Sequence, residues 1–206
     1  MKTLRILIPL MVCIALLALG PLSLAADAPK KEAPKETAKA DESSWKTMKL
    51  DSKRQKIDAV AGEALEKLFK SNAKAKSLYE KSYGYAVFDN LKFAFFLSGG
   101  GGKGVAEAIK TKKKTYMEMG SAGAGLSFGG QKCQIVFLFQ DEKTFNNFVE
   151  NGWQASGTAS ATAGESGAGA GTTFVNGMAY YQLGEKGLMA SADISGSKYW
   201  KDAELN

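Results

Sequence analysis

The sequence has 206 residues, a formal net charge of +6 and no histidine, and this length is sufficient for one domain with a substantial core. The absence of histidine removes the commonest general base and metal ligand, excludes a Ser-His-Asp hydrolase and argues against a zinc site. Because no paired Asp/Glu motif stands out either, we expect a protein that is not an enzyme, with no catalytic residues, no metal site and no cofactor.

The first residues are typical of an export signal. Lys2 and Arg5 form a positively charged start, an apolar run covers residues 6–19, and Ser23-Leu24-Ala25 offers the small residues that a signal peptidase requires. We expect a signal peptide over 1–25, with an uncleaved signal anchor as the alternative. The protein is therefore predicted to be exported and to be periplasmic or associated with the envelope.

Residues 26–44 are predicted to form a disordered linker ahead of a domain that covers 45–206. Ala, Pro, Lys and Glu dominate this stretch, and it has no periodic apolar face with which to offset the entropy of ordering. Four lysines stand against five acidic residues, so the segment is predicted to be a spacer and not a basic arm.

The next part of the domain is predicted to be helical and carries the positive excess of the chain. Residues 45–83 hold ten Lys/Arg against five Asp/Glu, whereas the charges of 84–206 sum to zero. A second, shorter helix is expected over 73–81, after Ser71-Asn72. Apolar residues follow helical spacing in the first helix: Ile57, Val60, Ala61, Ala64, Leu65, Leu68 and Phe69.

Two interpretations of this helix stay open. Its apolar stripe is suited to docking on a sheet, which is favoured for 57–69, or to lying on an anionic membrane. The preceding stretch is the better membrane candidate, because an aromatic side chain lies among basic ones. The candidate lipid-binding residues there are Trp45, Lys49, Lys53 and Arg54.

After Gly84 the pattern changes to that of strands, and residues 84–206 hold 21 of the 23 glycines. A helix interrupts the strands at 141–151, with Asp141 as its N-cap. Glycine inside strands permits tight bends, bulges or close backbone packing. We therefore predict an α+β fold with N-terminal helices on a glycine-rich, strongly coiled antiparallel or barrel-like sheet. The predicted strands cover 85–88, 93–97, 105–109, 115–119, 125–128, 134–139, 173–182 and 188–194, and residues 155–171 are also read as strands.

Two basic spots lie among these strands. The block Gly99–Gly104 lacks the spacing and the Ser/Thr of a phosphate-binding P-loop, so a turn or bulge is the favoured interpretation and an anion nest beside Lys103 the alternative. The run 110–114 reads as a solvated hairpin tip. Its alternative role is contact with lipid headgroups through Lys112, Lys113 and Lys114.

Several segments together resemble the SYLF-domain family. They are the helix before the first strand, Tyr83-Gly84-Tyr85-Ala86-Val87-Phe88, Lys92 with the glycine block, and the ending Gly187-Leu188-Met189 through Ser195-Gly196. The resemblance spans roughly 57–200. It implies helices against a glycine-rich antiparallel sheet and binding of acidic phospholipids through basic residues, with Lys76, Lys81 and Lys92 at matching positions. It also implies a link to actin patches in eukaryotic members.

The resulting hypothesis is an exported, non-catalytic module that binds acidic phospholipid at an envelope membrane surface. The alternative is a structural or self-assembling envelope protein without a lipid ligand, associating through aromatic rims (Trp153, Tyr180, Tyr181 and Trp200). Nucleic acid is not expected as a partner. Actin is not expected either, since an exported protein would not meet it. Cys133 is expected to be a packed thiol in a strand.

Overall fold

A computed structural model describes residues 35–94, 97–124, 129–155, 173–185, 187–189, 194 and 196–206. The predicted signal peptide, residues 26–34 of the predicted linker, the predicted strand 125–128 and residues 156–171 lie outside this part of the chain. Most of the predicted strand 188–194 does so as well.

The described residues form three helices, α1 (Lys35–Ser71), α2 (Ala73–Glu80) and α3 (Glu142–Asn151). Asn72 caps α2 by accepting a hydrogen bond from Ala75 N at 3.0 Å. Asp141 caps α3 as predicted, accepting from Thr144 N at 2.8 Å. Residues 35–44, where a disordered linker was expected, are helical, because α1 extends N-terminally through Lys, Glu and Ala, which favour helix.

The described strands form one sheet in which every pairing is antiparallel. Its spatial order is β5-β8-β3-β2-β1-β4-β6-β7. The strands are β1 (Gly84–Ala94), β2 (Leu97–Ala108), β3 (Lys114–Ala124), β4 (Gly129–Phe139), β5 (Trp153–Gln154), β6 (Met178–Gly184), β7 (Gly187–Leu188) and β8 (Ser197–Lys201).

The strands β1 to β4 are longer than the sequence indicated, whereas β6 (Met178–Gly184) begins five residues later than the predicted strand 173–182. The predicted strand 93–97 does not exist as a unit, since Phe93 and Ala94 end β1 and Leu97 begins β2. The glycine block lies within β2, so the interpretation as a turn or bulge is wrong. Its register with β1 runs without interruption from Leu91↔Gly101 to Phe88↔Gly104. The strand β8 was not predicted.

Glycine is required in β2 because two backbones approach closely. A Cβ atom on Gly102 would lie 1.8 Å from the carbonyl oxygen of Asp89, and one on Gly104 would lie 2.2 Å from that of Val87. No side chain fits at either distance. The expectation of close backbone packing in a coiled sheet is therefore confirmed at these two glycines.

Both faces of the sheet are buried over part of their length. On the helix face, α1 and α2 cover the sheet, and the docking of the apolar stripe of α1 is confirmed by burial of Ala61, Ala64 and Leu68 against Val87 and Val105. The opposite, aromatic face packs against α3 and contains Phe88, Phe137, Phe139, Phe148 and Tyr199. The fold is thus α+β, with N-terminal helices on an antiparallel sheet, as predicted.

Cys133 is buried, as expected, and its sulfur accepts a hydrogen bond from Gln182 Nε2 at 3.3 Å. Among the described helices, none combines the length and the apolar character needed to cross a membrane.

Candidate functional site

The first half of α1 extends beyond the sheet. Every described side chain from 42 to 49 is exposed, and burial begins only at Leu50. Trp45 and Met48 are 67% and 63% exposed, although both are large and apolar. This segment therefore presents apolar side chains that the described part of the domain does not cover.

Cations lie along the same side of α1 as Trp45. Positions 45, 49, 53 and 56 follow i, i+4, i+8 and i+11 spacing, which places Trp45, Lys49, Lys53 and Lys56 on one helix face. We call these four residues the basic stripe. The stripe runs from the projecting end of α1 to the part that is packed on the sheet.

The end of the basic stripe that is nearest the sheet contacts residues 202–206, which we call the C-terminal latch. Lys53 Nζ lies 2.9 Å from Glu204 Oε2, and Arg54 Nε donates to the carbonyl oxygen of Leu205 at 2.9 Å. Arg54 also pairs with Asp51 at 2.8 Å. The charges of Lys53 and Arg54 are therefore partly neutralised by partners within the domain.

Lys103 is held by the same latch. Its Nζ lies 2.9 Å from Glu118 Oε1 and 2.5 Å from Asp202 Oδ2. Burial works against the charged form, but the hydrogen bonds to Asp202 and Glu118 outweigh it and raise the pKa of Lys103. Lys103 is thus a charged residue inside an ion cluster and not the cation of a glycine nest.

The lysines at the β2–β3 hairpin are divided between ion pairs and solvent. Lys112 pairs with Glu107 at 3.3 Å and Lys114 with Asp58 at 2.8 Å, and the hydrogen bond to Asp58 raises the pKa of Lys114. Lys113 is exposed and makes no ion pair with a described residue. The hairpin tip is therefore solvated as predicted, but only part of its positive charge is free of ion pairs with described residues.

The three positions implied by family resemblance lie apart from this cluster. Lys76 is exposed on α2, and Lys81 is exposed just after it. Lys92 lies in β1, opposite Gly100 of β2 and Gln131 of β4. The structure thus brings Lys53, Arg54 and Lys103 together through the latch, and Lys112 and Lys114 together through Glu107, but leaves Lys76 and Lys81 apart from both groups.

Comparison with known proteins agrees with this fold. Residues 120–206 match the family model described as "Ysc84: Las17-binding protein actin regulator". Over 149 residues the chain is 46% identical to Beta cell expansion factor A of Aeromonas veronii, covering 72% of this chain and 57% of that protein. The chain belongs to the SYLF-domain family. It is also 31% identical over 139 residues to Protein YSC84 of Saccharomyces cerevisiae, covering 62% of this chain and 29% of that protein.

Three cations of this SYLF domain that lie on the α1 side of its sheet were not selected as site residues from the sequence. Lys56 belongs to the basic stripe, whereas Lys132 and Lys198 lie on β4 and β8 in the row Lys132–Leu91–Gly101–Gly120–Lys198. Helical spacing would have found Lys56. The row could not be found, because it depends on strand pairings between distant segments. No group of residues suited to holding a metal ion occurs in the described part of the chain.

The latch of the SYLF domain is predicted to weaken in acid. Burial opposes ionisation of Asp202, but the hydrogen bonds from Lys103 and from the backbone N–H groups of Glu204 and Leu205 lower its pKa. A carboxyl with a lowered folded-state pKa stabilises the fold fully above its ordinary pKa of 3.8 and loses that contribution as the pH falls through the lower value.

Asp202→Asn should therefore lower the thermal midpoint at neutral pH, with the gap to the natural protein closing below about pH 4. Asparagine can still accept the two backbone hydrogen bonds, so the comparison isolates the charge. Thermal unfolding followed by circular dichroism from pH 7 to pH 3 measures the gap, with the exposed Glu150→Gln as control. A gap that is equal at every pH would contradict the assignment.

Proposed function

We propose that this protein is an exported, non-catalytic module that binds anionic phospholipid at an envelope membrane surface. The observation that carries the proposal is the projecting half of α1, where Trp45 and Met48 are exposed beside Lys46 and Lys49. Tryptophan is favoured at the boundary between water and hydrocarbon, and lysine is attracted to anionic headgroups.

The positions of the lysines that form no ion pair with a described residue support the same proposal. Lys49, Lys76, Lys81 and Lys113 are exposed and form no ion pair with a described residue. Lys53, Arg54, Lys103, Lys112 and Lys114 take part in internal pairs. The first contact with a membrane is therefore assigned to Trp45, Met48, Lys46 and Lys49, with the paired cations acting as a second set.

The family relationship indicates a general class of function, but it does not identify a partner for this chain. The family description names Las17 binding and actin regulation. This chain spans 57% and 29% of the lengths of the two relatives, so their activities as whole proteins are not transferred. Because export would place this protein away from actin, we propose a membrane surface as its partner.

Sedimentation with vesicles tests the proposal. The full chain should sediment with phosphatidylglycerol vesicles at low salt, but not with phosphatidylcholine vesicles, and raised salt should release it because the attraction is screened. Lys49→Gln should weaken this association about fivefold, since one lysine near an anionic surface contributes about 1 kcal/mol. Trp45→Ala should weaken it as well, by removing the interfacial anchor.

The matched control is Lys143→Gln. Lys143 is an exposed lysine on α3, which packs on the opposite face of the sheet, and its replacement should leave sedimentation unchanged. Equal losses for Lys49→Gln and Lys143→Gln would indicate a response to total charge and contradict the assignment to α1. Absence of vesicle binding by the natural protein would refute the proposed function and favour the self-assembling alternative.

A further inference from the structure

Two glycines of β2 have no steric reason to be glycine. Gly99 and Gly101 are exposed on the helix face, and a Cβ atom there would lie 4.0 Å and 3.4 Å from its nearest neighbour. By contrast, a Cβ atom on Gly102 or Gly104 would point to the other face, where there is no room for it. Glycine within a strand weakens it and often marks a place where a ligand or another backbone approaches. The only described atoms within 4 Å of these Cβ positions are the carbonyl oxygens of Ser121 and Met119 in the paired strand β3.

Large apolar side chains flank this bare strip on both sides. Leu91 of β1 is 44% exposed, and Trp200 of β8 is 37% exposed. The Trp200 ring reaches over Gly120 of β3, coming within 3.2 Å of where its Cβ atom would be, and its Nε1 donates to Glu118 at 3.0 Å. We call the channel bounded by Leu91 and Trp200, with Gly99 and Gly101 as its floor, the glycine groove.

The width of the glycine groove fits a single hydrocarbon chain. Leu91 and Gly120 stand on strands two spacings apart, which is about 10 Å. A chain that touches both walls needs about 8 Å between wall carbons, because carbon atoms in contact are about 4 Å apart.

The glycine groove continues into a pocket beneath α1. The pocket has a volume of about 170 Å³, and its apolar walls include Ile57 and Val60 of α1 and Val87 of β1. It meets the groove at Asp89 and Lys103, one row of the sheet beyond Leu91 and Gly101. The groove and the pocket are thus adjacent parts of one path, which is open over the glycines, crossed by the charged side chains of Asp89 and Lys103, and roofed by α1 at its inner end.

Positive charge borders this path. Lys56 lines the pocket and Lys198 lies in the same row as Gly101, and both are exposed with no ion pair to a described residue. Lys132 lies at the other end of that row and pairs with Asp89 at 3.1 Å. The path also contains Asp89, whose Oδ1 is buried without a hydrogen-bond partner among the described residues, so complementarity to an apolar chain with a negative charge comes from Lys56 and Lys198 at its rim.

We infer that the glycine groove and the pocket bind one aliphatic chain of an anionic amphiphile, with its charged group beside Lys56 or Lys198. The inference rests on the proposed function, because it assigns a site for a single lipid chain to a module proposed to bind lipid surfaces. It differs from surface binding in that the ligand is held by the sheet and not by the projecting end of α1.

Titration with decanoate, below the concentration at which it forms micelles, tests the inference. The full-length protein should bind one decanoate, and it should not bind decyltrimethylammonium, which has an alkyl chain of similar length and the opposite charge. Gly101→Leu fills the groove and should weaken decanoate binding at least about tenfold. Gly62→Leu is the matched control, since a Cβ atom on this exposed glycine of α1 meets no atom within 4 Å.

The outcomes separate this inference from the proposed function. Vesicle binding without decanoate binding would overturn the glycine groove and leave the surface function intact. Decanoate binding that is insensitive to Gly101→Leu, or that equals binding of decyltrimethylammonium, would overturn it as well. Should Gly101→Leu not fold, the double variant Lys56→Gln/Lys198→Gln decides: it should weaken decanoate binding, whereas Lys49→Gln should affect vesicles alone.

Discussion

Gly102→Ala is expected to destabilise the domain by about 3 kcal/mol, as for other substitutions that overpack a rigid site. The added Cβ atom would lie 1.8 Å from the carbonyl oxygen of Asp89 and 2.8 Å from its carbonyl carbon. Both atoms belong to the backbone of β1, which is paired with β2 on one side and β4 on the other. Relief of the clash therefore requires β1 and β2 to separate in the centre of the sheet.

Gly101→Ala provides the matched comparison on the adjacent residue. Its Cβ atom would lie 3.4 Å from the carbonyl oxygen of Met119 and would point to the exposed part of the helix face. Alanine loses less conformational entropy than glycine on folding, so this variant should be unchanged or more stable by about 0.5–1 kcal/mol. Guanidinium unfolding gives both values, provided that the slope with denaturant is unchanged. Similar stabilities for the two variants would contradict the close approach of β1 to β2 at Gly102.

The helices could be predicted because their signals are local. The stripe from Ile57 to Phe69 repeats with a period that only a helix brings to one face, and the Asp141 cap precedes an apolar pattern of the same kind. The linker expectation failed at 35–44 for a related reason. Lys, Glu and Ala without an apolar face resemble a disordered segment in composition, although they also favour helix.

The long strands could not be delimited from the sequence. Strand recognition depends on alternation of apolar and polar side chains, and a run such as Gly99–Gly102 has no side chains to alternate. What makes this run a strand is its backbone pairing with β1 and β3, which is a tertiary contact. The strand β8 was missed because it is short and joins the sheet through β3, far away in the sequence.

The candidate site could also be predicted only in part. Trp45 and Lys49 could be selected from their neighbours in a basic helix, and the structure leaves both exposed. The ion pair between Lys53 and Glu204 could not be predicted, because the two residues are 151 positions apart in the sequence. A count of basic residues thus overstates the charge available to a ligand, and the fold decides which cations are already paired.

Phe137→Ala is expected to destabilise the domain by about 3–5 kcal/mol, the range for deletion of a buried aromatic side chain. Phe137 is fully buried at the centre of the aromatic face. Its ring packs edge to face with Tyr199 of β8 at 5.0 Å and against Phe148 of α3 at 5.3 Å between ring centroids. Alanine would leave a cavity bordered by rigid rings, which cannot collapse to fill it.

The substitution also separates stability from binding. Phe137 faces away from α1 and from the glycine groove, so a folded population of Phe137→Ala should keep its affinity for anionic vesicles and for decanoate. Phe137→Leu is the control of similar volume and should cost less than about 1.5 kcal/mol. Denaturant unfolding measures the stabilities, and binding is compared at a temperature where both variants are folded. A cost below about 1 kcal/mol for Phe137→Ala would mean that the aromatic face is not a packed core. Weaker decanoate binding by folded Phe137→Ala would show that the two faces of the sheet are coupled.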